Sequence, residues 1–378
     1  MTEEKKKLSP SCATCSQEMP GLLCMSPEGS GDGDAIAERI EASLNAPFDI
    51  EGHEVHTTVS IGIAASPVAE LDPHGLIRDS DTAMYHAKSA GRRRWATFDG
   101  ELRRAAVNRQ QMENGLRRAL QNDELTLEFQ PVARLDGLVV VGAECLLRWT
   151  SNGVAIGPDQ FIPVAEDTGL IGPIGSWVLG GALAELRSWD RSHDLGERSG
   201  SPPLGMAVNV SVRQLQSPGF VRQVSQILED SGLEPGRVTL EITETVLLEE
   251  LTTTGDVLGD LKDLGVSVAL DDFGTGYSPL TYLKDLPIDE VKLDRSFVAE
   301  VGTDQSARAI ASSVVSLAEA MSLRVVAEGI ETELERRVLR DLGCRFGQGS
   351  LISGPVAGAE LPEAVRRIEA PRTHGRGN

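Results

Sequence analysis

Past Asp123 the chain repeats one unit: a short run rich in β-branched residues, a polar residue near its end, then a polar or amphipathic stretch. The runs read LTLEFQPVA, VVVGAECLLRW, MAVNVS, RVTLEITE, VSVALDDF, DEVKLDR, RVVAEG and CRFGQG. Stretches such as FVRQVSQILEDSG and ARAIASSVVSLAEAMS, with apolar residues at helical spacing, separate most of them. Eight strands alternating with helices over about 240 residues predict an α/β fold, a (β/α)8 TIM-like barrel. An open, doubly wound sheet is the rival, and strand number alone disfavours it only modestly.

The polar residues that close these runs are, in order, Gln130, Glu144, Asn209, Glu241, Asp271 with Asp272, Lys292, Glu328 and Gln348. Each taken singly reads equally well as a cap or an ion-pair partner. In a parallel barrel, however, every strand's C-terminal end opens on one face, where active sites sit. Eight ends carrying acids, amides and one lysine therefore predict a single polar pocket. Side-chain alternation agrees. Glu144, Leu146 and Arg148 share one face of their run, with Ala143, Cys145 and Leu147 on the other. Glu241 lies opposite Leu240 and Ile242, Asn209 opposite Val208 and Val210, and Lys292 with Asp294 opposite Val291 and Leu293.

Glu144, Asn209, Glu241 and Asp271 offer hard oxygen donors without His or Cys, a set suited to Mg2+ or Mn2+ rather than zinc. The adjacent Asp271 and Asp272 read in two ways. They cap the turn that follows, as Asp before Gly often does, or they bridge two cations as two-metal phosphoryl enzymes require. Lys292 and Glu328 remain to polarise a water and take its proton. For Lys292 a plain counter-charge role in the acidic cluster is the alternative.

With these motifs in family order (AECLLRW, NVS, EITE, LDDFGTGYS, KLDRSFV, AEGIE and GQG), residues 115 to about 362 resemble an EAL domain, the family of cyclic di-GMP phosphodiesterases. The resemblance implies a barrel whose first strand runs antiparallel to its neighbours, so Gln130 rests on the resemblance and not on the same-face argument. It implies metal ligation by Glu144, Asn209, Glu241, Asp271 and Asp272, and service of the attacking water by Lys292 and Glu328. It implies that Glu244 steadies the loop after Asp272, and that Gln130, Leu146, Arg148, Asp294 and Gln348 hold the dinucleotide or shape its pocket. The expected reaction opens one phosphodiester of cyclic di-GMP to linear pGpG, and a homodimer through the barrel is the expected partner. A sensor that binds cyclic di-GMP without cleaving it, and a purely scaffolding barrel, are the competing classes. Three departures from the family pattern stand out: Cys145 in the signature triplet, Pro279 after GYS, and SLISGP after GQG. In that last run Ser350, Ile352 and Gly354 are expected to loosen the substrate rim.

Upstream, residues 34 to about 100 resemble the second half of a GGDEF (diguanylate cyclase) domain, through TTVSIGIAA and DSDTAMYHAKSAGRRRWATFD. Its nucleotide-holding turn is not found, so cyclase activity is not expected. Strands at FDIEGHEV and TTVSIGIAA, helices at AIAERIEASL and SDTAMYHAKSAG, and a connecting helix over 101–114 complete the reading, with the barrel at 115–365 and a tail at 366–378. Residues 1–33 lack a hydrophobic period and are expected to be disordered. Their CATC pair, Cys12 and Cys15, has only Cys24 nearby, too few ligands for zinc. A net charge of −21 argues against a general nucleic-acid or anionic-membrane binder. No apolar run reaches a membrane span, no secretory segment is evident, and Cys145 and Cys344 stand alone in strand-like runs; these features suit the cytoplasm.

Overall fold

The computed structural model describes residues 31–44, 48–50, 53–55, 57–66, 72–89, 91, 93–191, 202–244, 251–274 and 286–370. The chain divides into two compact units, Met1–Gln111 and Met112–Asn378.

The first unit contains α1 (Gly31–Leu44), β1 (Phe48–Ile50), β2 (His53–Val55), β3 (Ile61–Ile63), α2 (Pro73–Ser89) and β4 (Trp95–Thr97). The run FDIEGHEV, expected as one strand, forms two that pair antiparallel, with Phe48 across from Val55. Strands β3 and β4 pair in parallel. Helix α2 begins earlier than expected because Pro73 suits a first helical position and Asp72 accepts a hydrogen bond from the His74 N–H. Gly62 is required where α2 crosses β3: a Cβ there would lie 1.9 Å from the Ser80 carbonyl. Residues 31–33, expected in the disordered tail, belong to α1. Cys12, Cys15 and Cys24 lie outside the described residues.

Helix α3 (Gly100–Ala119) runs without a break past the boundary expected at residue 114 and buries Leu116 and Ala119 in the second unit's core. Eight strands then close a barrel. They are β5 (Leu125–Arg134), β6 (Val140–Ser151), β8 (Gly205–Asn209), β9 (Val238–Thr243), β10 (Ser267–Phe273), β11 (Glu290–Leu293), β12 (Arg324–Ala327) and β13 (Phe346–Gly347), with β13 returning to β5. All pair in parallel except β5, which is antiparallel to both neighbours. The open sheet is thereby excluded.

Two strands were not anticipated. Strand β7 (Val154–Ile156) folds back on β6 through Asn152 and Gly153, whose φ values of 51° and 78° fit the Asn-Gly turn favoured in tight hairpins. Strand β14 (Val356–Ala357) pairs with β5, placing Val356 opposite Phe129.

Around the barrel lie α4 (Pro158–Asp167), α5 (Ile171–Arg191), α6 (Val212–Leu215), α7 (Phe220–Ser231), α8 (Leu251–Asp263), α9 (Arg295–Val298), α10 (Gln305–Ala320), α11 (Glu333–Asp341) and α12 (Leu361–Glu369). Alternate strand residues, among them Val208, Leu240, Ile242, Val268, Leu270, Val291 and Leu293, are buried in one apolar cluster with helix residues such as Leu183, Leu186 and Val224. Each such side chain contributes about 1.5–3 kcal/mol on burial. Edge-on ring pairs, Phe129 with Trp189 and Trp149 with Phe161, help fix α5 and α4 to the first strands. The Trp189 indole donates to the Gly358 carbonyl at 3.0 Å, so even this buried polar atom is satisfied.

Close strand spacing near the start of β6 depends on Gly142, where a Cβ would lie 2.8 Å from the Gly205 carbonyl oxygen. The contact is with backbone, which has little room to yield. Gly142→Ala should therefore lower stability by about 1–3 kcal/mol, read as an earlier urea midpoint. An unchanged midpoint would mean that the two strands can part at no cost.

Candidate active site

Lys292 is the centre of the barrel's polar end. It sits on β11 and is only 1% exposed. Its ammonium lies 3.1 Å from Glu144 Oε2 on β6, 3.0 Å from Glu241 Oε2 on β9, 3.2 Å from Asp271 Oδ1 on β10 and 2.8 Å from Glu328 Oε1 just beyond β12. Alternation puts each of these acids on the face opposite the apolar residues that pack on the helices. Two amides complete the cluster. Asn209 Nδ2 at the end of β8 donates to Glu144 Oε1 at 2.8 Å. Gln348 Nε2, just past β13, donates to Glu144 Oε2 at 2.6 Å and to Glu328 Oε1 at 2.9 Å.

One ammonium thus faces four carboxylates, and the protonation equilibria show the imbalance. Burial opposes charge on Lys292, but Glu144, Glu241, Glu328 and Asp271 outweigh it and raise its pKa well above the usual lysine value. Burial likewise pushes Glu144 up, yet Lys292 and the hydrogen bonds from Gln348 and Asn209 overcome it and hold that carboxyl below its ordinary range. Glu241 goes the other way: burial and the neighbouring Glu144 raise it well above, more than Lys292 can offset. Glu328 is raised to about 7 by burial, against the pull of Lys292 and with the push of Asp271 and Glu144. Asp272 is raised by burial, then by Asp271 and Asp294.

Alternation along β10 would send Asp271 and Asp272 to opposite faces. The register of β10 against β11 shifts between Leu270 and Phe273, and Asp272 takes a left-handed φ of 55°. This irregularity re-aims the second side chain, as bulges do. Asp271, Asp272 and Glu328 consequently each offer an oxygen within 4.8 Å of the others. Glu244 holds the turn that follows: its Oε2 accepts from the Gly274 N–H at 2.8 Å. Gly274 itself has φ 98°, and a Cβ there would lie 2.8 Å from the Phe297 ring, so only glycine fits.

Gln130 lies directly across from Glu144 in the antiparallel ladder and donates to the Ser353 carbonyl at 3.2 Å. Leu146 and Arg148 follow Glu144 on its face, and Arg148 pairs with Glu128 at 2.8 Å. Asp294 caps α9, accepting from the Ser296 N–H at 2.9 Å and hydroxyl at 2.5 Å. Ile352 packs in the apolar core, which removes it from the expected rim, whereas Ser350 and Gly354 are exposed. Pro279 lies outside the described residues. The Ser353 carbonyl is a main-chain acceptor and leaves no mark in side-chain pattern.

A scan of protein families matches residues 113–355 to "EAL domain" and residues 23–94 to "Diguanylate cyclase, GGDEF domain". The first match covers more than half of the chain, and the chain belongs to the EAL-domain family. It is 37% identical over 347 residues to the bifunctional diguanylate cyclase/cyclic di-GMP phosphodiesterase MucR of Pseudomonas aeruginosa, covering 91% of this chain and 49% of that one. It is 35% identical to the cyclic di-GMP phosphodiesterase NbdA of the same organism, covering 88% and 42%. The solved PaMucR phosphodiesterase in complex with c-di-GMP superposes with a TM-score of 0.61 at 39% identity, over 66% of this chain and 99% of that one. The chain spans half or less of the length of these curated relatives. Among the described residues no helix is long and apolar enough to cross a membrane.

Cys145, next to Glu144, tests the strand phase. It is buried in the apolar core, and burial together with Glu144 and Glu241 pushes its thiol up to about 12; burial does the same for Cys344. Both thiols should resist iodoacetamide at about pH 8 in the native protein and react after unfolding, since the thiolate is the nucleophile. Native alkylation of Cys145, seen by peptide mass spectrometry, would place it on the pocket side.

Proposed function

We propose that the chain hydrolyses cyclic di-GMP to linear pGpG with a divalent cation, Mg2+ or Mn2+, held by Glu144, Asn209, Glu241, Asp271 and Asp272. The observation that carries this reading is the Lys292–Glu328 pair, 2.8 Å apart, inside a cluster of carboxylates drawn from neighbouring strand ends. The donor set fits such a cation: the acids supply hard oxygens in excess of the one ammonium, and two of them, Asp271 and Asp272, already offer oxygens within 4.8 Å of each other and of Glu328. Asn209 spends its amide nitrogen on Glu144, which leaves its carbonyl oxygen as the atom it offers. When bound, the cation supplies Lewis-acid polarisation of the phosphoryl group and the attacking water.

The chain's own groups do the rest. Glu328, raised to about 7, is suited to accept a proton from a water as that water attacks phosphorus. Lys292 keeps its proton, holds Glu328 and the flanking acids in place, and offers positive charge beside the developing negative charge. The phosphorus–O3′ bond breaks, the departing oxygen takes a proton, and a 5′-phosphate remains. Gln130, Leu146 and Arg148, sharing the Glu144 face, are proposed to shape the dinucleotide pocket together with Gln348 and Asp294. Relatives whose names describe cyclic di-GMP phosphodiesterases support this reading. A homodimer through the barrel and a cytoplasmic setting belong to the same proposal.

Labelled cyclic di-GMP incubated with the protein should yield pGpG with Mg2+ or Mn2+ and none in excess EDTA. Glu144→Ala should lower turnover by at least about a thousandfold, roughly 4 kcal/mol, with an unchanged circular-dichroism spectrum. Binding without turnover in the wild type would favour the sensor class instead.

Proton linkage gives a second test. The folded-state pKa of Glu328, about 7, exceeds the ordinary 4.5, so its stabilising contribution is full below about 4.5 and lost as pH rises through 7. Glu241, also raised, adds in the same direction. A cation that binds the ionised cluster must displace these protons, so its affinity rises with pH. Mg2+ or Mn2+ should therefore raise the melting temperature more at about pH 8 than at about pH 5, by the same linkage. An equal or smaller rise at the higher pH would count against binding at these carboxylates.

A further inference from the structure

The opposite end of the barrel carries a cavity of about 880 Å3, lined by the N-terminal ends of several strands. Five arginines face it, Arg134, Arg237, Arg324, Arg340 and Arg345, against one acid, Asp136. That is unexpected in a chain of net charge −21. Three of the guanidiniums are matched: Arg237 by Asp190 at 2.6 and 2.8 Å, Arg324 by Glu290 at 3.3 Å and Arg340 by Asp341 at 2.8 Å. Asp136 also acts on Arg336, a neighbour outside the lining. The Arg134 and Arg345 guanidiniums have no hydrogen bond or ion pair among the described residues. Both line the cavity, Arg134 from its place across from Phe346 in the β5–β13 ladder and Arg345 from the start of β13, where its carbonyl accepts from the Leu135 N–H at 2.9 Å. In the same lining the Arg324 guanidinium lies 5.4 Å from the Phe346 ring centroid, a cation–aromatic pair.

We infer that this cavity binds a nucleotide through its phosphates. Two planar forks lining one cavity, neither with a partner among the described residues, match the oxygens of a phosphate, which guanidinium groups bind bidentately. The volume is that of a small-molecule site and exceeds what inorganic phosphate would fill, while the Arg324–Phe346 pair offers a stacking surface for a base. The site lies at the end of the barrel remote from Lys292 and stands whether or not the carboxylate end hydrolyses cyclic di-GMP.

The test is calorimetric titration of the full chain with GTP, GMP and inorganic phosphate in EDTA, where the carboxylate cluster has no cation to attract an anion. GTP should bind with one site per chain. Arg134→Gln and Arg345→Gln should each weaken it, and together by at least about tenfold, since each removes a charge-assisted bond. Both positions are exposed, so melting curves should stay at the wild-type temperature. Glu144→Gln should leave the affinity unchanged. The inference is overturned by absence of GTP binding up to roughly 5 mM, by a double variant that binds as the wild type does, by inorganic phosphate binding as tightly as GTP, or by loss of binding in Glu144→Gln.

Discussion

A single buried ammonium holds four carboxylates that would otherwise repel one another. Taking Lys292 out of water is costly, and only close contact with opposite charge offsets that cost. The contacts come from β6, β9, β10 and the segment beyond β12, so strands far apart in sequence must end at one level around one axis. Barrel closure provides this geometry. The helices and their apolar strand faces supply the stability that permits an over-charged pocket at the open end.

The charge imbalance also explains the local irregularities. Four acids against one lysine leave negative charge to spare, and the left-handed residue at Asp272 adds a fifth carboxylate instead of removing one. That conformation needs support, and the Glu244 carboxylate on the Gly274 N–H supplies it from the adjoining strand. The reversed strand β5 serves the same end. Its antiparallel ladder sets Gln130 opposite Glu144, a pairing with the side chains on one face. Such features destabilise a fold locally and are retained where a site needs them.

Much of this was legible in the sequence, for identifiable reasons. Period-two alternation separated Glu144 from Cys145 and Glu241 from Leu240 and Ile242, because each strand packs helices on one face. The same rule failed at Asp272, since alternation has no knowledge of a register shift. The Asn152–Gly153 turn carried a readable signal for β7, but the hairpin sits outside the barrel's strand–helix repeat. Ile352 looked like rim from its place after GQG, whereas its side chain turns into the core. The arginines at the far end were invisible for a different reason: they are scattered from Arg134 to Arg345, and a strongly acidic total hides a local positive cavity.

The central claim is that Lys292 and a divalent cation share the neutralisation of one carboxylate cluster. Thermal and urea unfolding of Lys292→Met, in EDTA and in Mg2+ or Mn2+, tests it most directly. Removing the ammonium leaves four clustered acids, three of them buried, facing one another, so at about pH 8 in EDTA the variant should lose about 3–5 kcal/mol. Much of that loss should be recovered when a divalent cation is added, and also near pH 5, where the acids take up protons. A variant as stable as the wild type in EDTA at the higher pH would contradict the account, as would a loss that neither cation nor acid restores.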